Sequence, residues 1–213
     1  MSSAATPIHE DEEFIGPRRA GLRGLVTTSI LMVVVLTIIL GLIYPLAMLG
    51  IAQGLFSHQA NGSLITRYGK IVGSELIGQN FTEPKYFWGR LSATSPTPYN
   101  AANSSGSNLG PTNKVLLENT LKEAALIRRA NNLPANYVLP ADAVSSSASG
   151  LDPDISPAYA DLQVARVARV RGLSSATVEA LVDKNTSGRD LGLFGEPRVN
   201  VLELNLALDG MKK

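Results

Sequence analysis

Residues 25–49 read LVTTSILMVVVLTIILGLIYPLAML, and this almost wholly apolar stretch decides the architecture of the chain. No charged side chain occurs between Arg23 and His58. A helix of this length reaches about 37 Å, which is enough to cross a hydrocarbon core of about 30 Å with some tilt. Because backbone groups in lipid must be hydrogen-bonded within the segment, we predict a transmembrane helix, with an outer extension, over residues 24–56.

The apolar stretch is more typical of an uncleaved anchor than of a signal peptide, whose apolar region spans about 7–15 residues and ends at a small-residue cleavage site. Three arginines, Arg18, Arg19 and Arg23, precede the stretch, whereas the first basic residue after it is Arg67. By the positive-inside rule, the N-terminus is expected in the cytoplasm. We therefore predict a single-pass protein of the plasma membrane with its C-terminal bulk outside.

This orientation divides the chain into three parts. Residues 1–23 are polar, acidic and poor in core residues, which predicts a disordered cytoplasmic tail. The membrane helix follows, and residues 57–213 are predicted to form one extracytoplasmic domain. From His58 onward the chain has 16 Lys and Arg against 14 Asp and Glu, so no basic surface for nucleic acid is expected.

Within the span, Pro45 should remove a backbone hydrogen bond and kink the helix near Tyr44. Gly50 and Gly54 form a small-xxx-small pair at its outer end. Such pairs let a second helix approach closely, so these glycines are candidate positions for helix packing in the membrane; simple loosening of the helix end is the alternative.

The exported part is predicted to be an α+β domain. Short apolar runs broken by turn residues predict strands, a long Ser/Asn/Pro/Gly-rich run predicts an irregular loop over 92–111, and helical spacing after capping residues predicts helices. The predicted strands are Leu64–Ile65, Ile71–Val72, Leu76–Ile77, Tyr86–Trp88, Val138–Leu139 and the alternating Val199–Leu208. The predicted helices begin near Thr112 or Asn113, at Ser156-Pro157 and after Ser174, and the second ends at Gly172.

For two of the helices, the sequence predicts which side chains face the core and which face solvent. The first helix should pack through an apolar stripe that contains Val115, Leu116, Leu121, Ala124, Ala125 and Ile127. The second should carry a solvated charged face with Asp161, Arg166 and Arg169.

The exported part lacks the residues of most catalytic sites. The chain contains no cysteine, and His58 is the one histidine after the span, next to the membrane surface. Gly106–Gly110 has three residues between its glycines and is followed by proline, so it does not form a nucleotide-binding P-loop. Asp152 and Asp154 alternate as in a calcium loop, but the required glycine and glutamate are missing. We predict no catalytic residue and no metal site, and interpret these aspartates as acids near a helix N-terminus.

Several stretches, in their joint order and spacing, resemble the C subunit of the bacterial Kdp potassium-transporting P-type ATPase. These are NGSLI (61–65), GQNFT (78–82), YFWGR (86–90), SSGSNLGPTN (104–113), GLDPDISP (150–157) and LFGEPRVNVLELN (193–205). The similarity runs from the span to the C-terminus. Asp154 stands where that family usually has histidine, and Leu91 where proline is usual.

The resemblance implies a non-catalytic accessory subunit of an ATP-driven, high-affinity potassium uptake complex in the bacterial inner membrane. Its implied partners are a channel-like potassium-binding subunit, a P-type subunit that hydrolyses ATP and a small assembly subunit, and these would handle ATP, magnesium and potassium. The family is described as a catalytic chaperone that raises ATP affinity, with a proposed nucleotide contact through a glutamine, for which Gln163 is the nearest match. Asn108, Asp152 and Asp154 are candidate partner-facing loop residues.

The predicted topology argues against a direct nucleotide contact, because ATP sites of P-type pumps are cytoplasmic and the domain should lie outside. We expect the domain to sit over the potassium entrance, and any effect on ATP affinity to travel through conformational linkage. Two alternatives stay open at this point. One is a membrane-anchored exported enzyme; the other is a pilin-like structural subunit, which also pairs an apolar N-terminal helix with a small exported domain.

Overall fold

A computed structural model describes residues 21–211 of the chain. The predicted disordered tail therefore lies almost wholly outside the described residues. The chain divides into two compact units, one ending at Ser57 and the other beginning at His58. The second unit mixes helices with short strands, which confirms the prediction of one N-terminal helix followed by an α+β domain.

The N-terminal unit is a continuous helical rod of 34 residues from Leu22 to Leu55, long and apolar enough to cross a membrane. It comprises α1 (Leu22–Ile38), one π-helical turn (Ile39–Ile43) and α2 (Tyr44–Leu55). The π turn ends at Ile43, two residues before Pro45 and next to Tyr44, near which a kink is predicted. A widened turn accommodates the proline because the pyrrolidine ring has no N–H and crowds the carbonyl four residues earlier.

The second unit begins with a short helix and a hairpin. Helix α3 (Ser57–Ala60) leads to strands β1 (Leu64–Arg67) and β2 (Lys70–Ser74), which pair antiparallel. The turn residues Tyr68 and Gly69 both have positive φ, at 50° and 74°. This geometry suits the right-handed twist of a two-residue hairpin, and it confirms the predicted pairing around Tyr68-Gly69.

The remaining elements enclose the core. A small antiparallel sheet has the order β3–β5–β4. Helix α6 supplies more residues to the hydrophobic cluster than any other element; α7 packs against α6, and α8 packs against α7 and β5. The elements are α4 (Lys114–Ala130), α5 (Ala141–Val144), β3 (Asp154–Ile155), α6 (Pro157–Arg171), α7 (Ser175–Lys184), β4 (Thr186–Ser187), β5 (Arg198–Asn200) and α8 (Val201–Gly210).

The predicted helix caps are confirmed. The side chains of Asn113, Ser156 and Ser174 accept hydrogen bonds from the backbone N–H of Val115, Tyr159 and Thr177, at 2.8, 3.1 and 3.1 Å. These bonds satisfy N–H groups that have no partner within the first helical turn.

The predicted strand over Val199–Leu208 holds only for Val199 and Asn200 in β5 and is wrong from Val201 onward, where helix α8 begins. The Asn200 side chain accepts a hydrogen bond from the N–H of Glu203 at 3.1 Å and so begins the helix. The buried positions Val201, Leu204 and Leu208 are spaced three and four apart, as on one face of a helix. The alternating leucines share only the four-residue spacing from Leu204 to Leu208. The cap at Asn200 therefore favours the helical period of 3.6 residues over the strand period of two residues.

Two other strand predictions fail, and the α4 stripe holds only in part. Tyr86–Trp88 and Val138–Leu139 are not strands, and Leu76–Ile77 makes only an isolated bridge from Ile77 to Ser74. In α4, Ala124 and Ile127 are buried, but the predicted core residues Val115, Leu121 and Ala125 are exposed. The prediction of an apolar stripe assumed that the whole of α4 lies against the core, whereas only its C-terminal half does.

The end of α6 supplies a test of the fold. Gly172 caps the helix with φ 67°, and a Cβ built there would meet no atom within 4 Å. Gly172→Ala is expected to lower the free energy of unfolding by about 1 kcal/mol through backbone strain alone. The measurement is denaturant unfolding of the full chain in detergent, followed by the fluorescence of Trp88, the single tryptophan.

The matched control is Gly188→Ala, which is equally open but lacks the positive φ. Equal losses of stability in the two variants would contradict a conformational role for Gly172.

Candidate functional site

The family-matched glutamine, Gln163, lies inside the domain and not on its surface. It is fully buried on α6. Its Oε1 accepts hydrogen bonds from the N–H of Trp88 at 2.8 Å and from Arg166 Nη2 at 2.6 Å. Its Nε2 donates to the carbonyls of Trp88 and Tyr159, at 3.1 and 3.2 Å. A primary amide offers two donors and two acceptor positions, so the hydrogen-bonding capacity of Gln163 is used within the fold.

A second amide holds the neighbouring residue in the same way. Asn205 on α8 accepts from the N–H of Phe87 at 2.8 Å and donates to its carbonyl at 3.0 Å. Side-chain amides of α6 and α8 thus hydrogen-bond the backbone of two successive residues, Phe87 and Trp88. This explains why Tyr86–Trp88 is not a strand, since side chains have taken the backbone groups that strand pairing needs.

Arg166 is the third member of this arrangement. Its Nη1 donates to the carbonyls of Pro84 and Tyr86, and its Nε donates to Asn131 Oδ1 at 3.0 Å. Its guanidinium carbon lies 4.2 Å from the centroid of the Trp88 ring.

Arg166 carries its charge without a carboxylate partner among the described residues. Burial lowers the pKa of the guanidinium to about 10, which leaves it protonated at neutral pH. Carbonyl dipoles and the aromatic face supply the compensation that a buried cation requires. The predicted solvated face of α6 is therefore wrong for Arg166, although Asp161 and Arg169 are exposed as expected.

Arg171 completes the set by donating from Nε to the carbonyl of Lys85 at 2.7 Å and pairing with Asp209 at 2.8 Å. We call Gln163, Arg166, Arg171 and Asn205 the polar clamp, and Pro84–Trp88 the clamped segment. Each of the five carbonyls in the clamped segment accepts a hydrogen bond from a clamp side chain. Sequence reasoning missed the clamp because its only local signal is three polar residues on one helix.

The two predicted loop aspartates are held by arginines. Arg90 Nη1 lies 2.8 Å from Asp152 Oδ2, and Arg198 Nε lies 3.5 Å from Asp154 Oδ2. The N–H of Asp154 also donates to Asp152 Oδ1 at 3.1 Å. The aspartates are thus part of the loop's own structure, where they join β3 to β5 and to the segment after Trp88.

The other predicted site residues lie apart from these. Asn108 is exposed with φ 52°, and no hydrogen bond within residues 21–211 joins it to either aspartate. Gly50 and Gly54 are exposed on α2, and a Cβ built at either would meet no atom within 4 Å. No residue of α2 is buried, so the role of this glycine pair in helix packing stays a prediction.

A cavity of about 270 Å³ lies next to the clamped segment, and Trp88, Arg90, Tyr99, Glu123 and Tyr159 are among its lining residues. Gln163 does not line it. Burial raises the pKa of Glu123 and raises that of Tyr99 to about 12. Over the described stretch 21–211, no group of three or more His, Asp or Glu side chains is placed to hold a metal ion.

Asp154 gives a prediction on pH dependence. Burial raises the pKa of its carboxyl, Asp152 raises it further, and Arg198 opposes both. Since the folded pKa exceeds the unfolded one, the stability that Asp154 contributes is present at low pH and is lost as the pH rises through the folded pKa. Asp154→Asn is therefore expected to match the wild type near pH 4 and to be more stable near pH 7.

Thermal or denaturant unfolding at the two pH values measures this difference. Glu179→Gln, which changes an exposed carboxylate on α7, serves as the control and should show the same small difference at both. An Asp154→Asn variant that is less stable than the wild type near pH 7 would show that the pair with Arg198 outweighs burial.

Comparison with known proteins identifies relatives over most of the chain. The family model described as "KdpC: K+-transporting ATPase, c chain" matches residues 26–210. A "Potassium-transporting ATPase KdpC subunit" of Paraburkholderia phytofirmans is 54% identical over 191 residues, which cover 90% of this chain and 99% of the relative. Its counterpart in Paraburkholderia xenovorans is 54% identical over 192 residues, which cover 90% and 100% of the two chains.

A further relative with the same description, from Dechloromonas aromatica, is 53% identical over 195 residues and covers 90% of this chain and all of its own length. None of these relatives supports the exported-enzyme or the pilin-like alternative. The family match over most of the chain confirms the resemblance drawn from the sequence, and the chain belongs to the KdpC family of potassium-transporting ATPase subunits.

Proposed function

We propose that this chain is a non-catalytic accessory subunit of the Kdp potassium-transporting ATPase, anchored in the bacterial inner membrane with its domain outside the cytoplasm. Its direct partners would be a channel-like potassium-binding subunit, an ATP-hydrolysing P-type subunit and a small assembly subunit. ATP, magnesium and potassium would be bound by those partners. The domain would sit over the potassium entrance, and the open Gly50/Gly54 surface would pack on a partner helix.

The observation that carries the proposal is that all hydrogen bonds of the Gln163 side chain are made within the domain. A nucleotide contact would need this amide at a surface, with at least one hydrogen-bonding position free. Its burial and its four bonds support a structural role, in which it holds Trp88 against α6. An influence on ATP affinity would then be conveyed by conformational linkage between subunits.

The distribution of reactive groups also favours a non-catalytic role. His58, the one histidine of the second unit, is half exposed and its Nε2 lies 3.0 Å from Glu75 Oε1. A hydrolytic site needs a base within reach of a nucleophile and of a third orienting group. The nearby Ser74 hydroxyl donates to the carbonyl of Gly62 at 2.7 Å, a bond that fixes the loop before β1.

The arginines before the span support the orientation, because Arg18, Arg19 and Arg23 have no counterpart immediately after Leu55. Alkaline phosphatase fused after Lys213 is expected to be active, and a green fluorescent protein fused at the same site is expected to be dark. A variant with the three arginines changed to glutamine serves as the control and should lose phosphatase activity. An inactive phosphatase with a bright fluorescent fusion refutes the topology.

Gln163→Ala separates a structural from a nucleotide-binding role. It removes the partners of the partly buried N–H and carbonyl of Trp88, so the free energy of unfolding of the chain should fall by about 1–3 kcal/mol. The complex that does assemble should keep its KM for ATP within about twofold, since no nucleotide contact is lost.

The control is Arg169→Ala, an exposed change on the same helix, which should alter neither quantity. An unchanged unfolding free energy together with a large rise in KM for ATP would assign the nucleotide role to Gln163 after all.

A further inference from the structure

A hairpin-like loop between β4 and β5 presents three large apolar side chains to solvent. Leu191, Leu193 and Phe194 are 93%, 70% and 62% exposed. They lie within four consecutive residues, and the core cluster includes none of them. We call these three residues the apolar tip.

The backbone under the tip is tightly organised. The N–H of Asp190 donates to the carbonyl of Phe194 at 2.8 Å, and the N–H of Phe194 donates to the carbonyl of Asp190 at 2.9 Å. Leu191 and Gly192 make the turn with positive φ values of 55° and 72°. A leucine in this region is strained by about 1–2 kcal/mol, which a glycine or asparagine would avoid. The fold therefore displays the leucine at a cost in its own stability.

Ion pairs fix the base of the loop. Arg189 Nη2 contacts both carboxylate oxygens of Glu196, at 2.7 and 2.9 Å. Arg198 Nη2 lies 3.8 Å from Asp190 Oδ1. The side chains are thus held out on a preorganised loop, and a partner that buries them would lose little conformational entropy.

Burial of such side chains is strongly favourable, at about 1.5–3 kcal/mol for each one taken fully out of water. Large exposed apolar clusters with polar rims mark interaction sites, and aromatic and aliphatic anchors dominate the energetics of such sites. Burial of the apolar tip by a partner would therefore release a free energy typical of a docking anchor. The three side chains are not buried within the chain itself.

The charges around the tip favour a protein partner over a lipid surface. Three charged residues lie in the loop, Arg189, Asp190 and Glu196, and Arg198 follows at the start of β5. Each arginine lies against an acid, since Arg189 contacts Glu196 and Arg198 contacts both Asp190 and Asp154. Attraction to anionic headgroups requires an excess of Lys or Arg beside the apolar residues. A neutral rim whose charges are already paired suits an apolar pocket in a protein, where unpaired charges would be costly to desolvate.

We infer that the apolar tip is the anchor by which this subunit docks in an apolar pocket of a larger membrane subunit of the same complex. The inference rests on the proposed function, because it needs a transport complex that contains such a subunit. It assigns the contact to Leu191, Leu193 and Phe194, with the paired charges as the surrounding rim.

Leu193→Asp tests the anchor in the intact complex, purified in mild detergent through a tag on this chain. A carboxylate in the centre of the pocket should reduce the recovered large membrane subunits at least tenfold per mole of tagged chain. Val138→Asp is the matched control, because Val138 is 87% exposed in a different loop, and it should recover them in full. Full recovery with Leu193→Asp, or an equal loss with Val138→Asp, overturns the inference.

A second measurement does not depend on a destabilising change. A benzoylphenylalanine placed at position 193 is photolysed in native membranes, and the expected product joins this chain to a larger membrane protein. A product with lipid alone, a product with a second copy of this chain, or no product overturns the inference. The fusion reporters after Lys213 decide the topology separately, so a failure of the docking contact and a failure of the proposed function are distinguishable.

Discussion

The five successive carbonyls of the clamped segment, Pro84–Trp88, are held by side chains of α6 and α8, and the rest of the domain depends on this polar clamp. Among residues 21–211, no strand pairs with this segment to satisfy its backbone. Phe87 is buried and most of its neighbours in the segment are partly buried. Leaving a buried polar group unpaired costs about 1–3 kcal/mol, which is a large fraction of the stability of a typical domain. The clamp meets this requirement and also anchors Phe87 in the core.

The clamp also determines which polar side chains remain available for contact with other molecules. It places Gln163 and Arg166 at the centre of the domain, where they bind the chain to itself. The surfaces that we propose for contact with other subunits are peripheral: the glycine surface of α2 and the apolar tip after β4, both of which are exposed. This division suits the accessory role in a potassium-transporting ATPase, since the clamp residues are used inside the domain and the proposed docking surfaces lie apart from them.

Local chemistry made much of the fold predictable. The apolar rod, the caps at Asn113, Ser156 and Ser174, and the hairpin at Tyr68-Gly69 depend on residues close together in sequence, and all appear in the structure. The errors arose where one residue pattern is compatible with two different structures. Alternating leucines after Asn200 fit a strand or a helix, and the stripe on α4 gave no sign that its N-terminal half lies in solvent.

The sequence by itself determined the membrane anchor, the α+β class and the family, because composition, capping and motif order are properties of the chain alone. Only the tertiary structure decided the role of Gln163, the burial of Arg166 and the display of Leu193. Each of these depends on partners far away in the chain, such as the 75 residues that separate Trp88 from Gln163. Burial and hydrogen-bond satisfaction are collective properties of a packed fold, and no local pattern specifies which polar side chain will supply a distant backbone group.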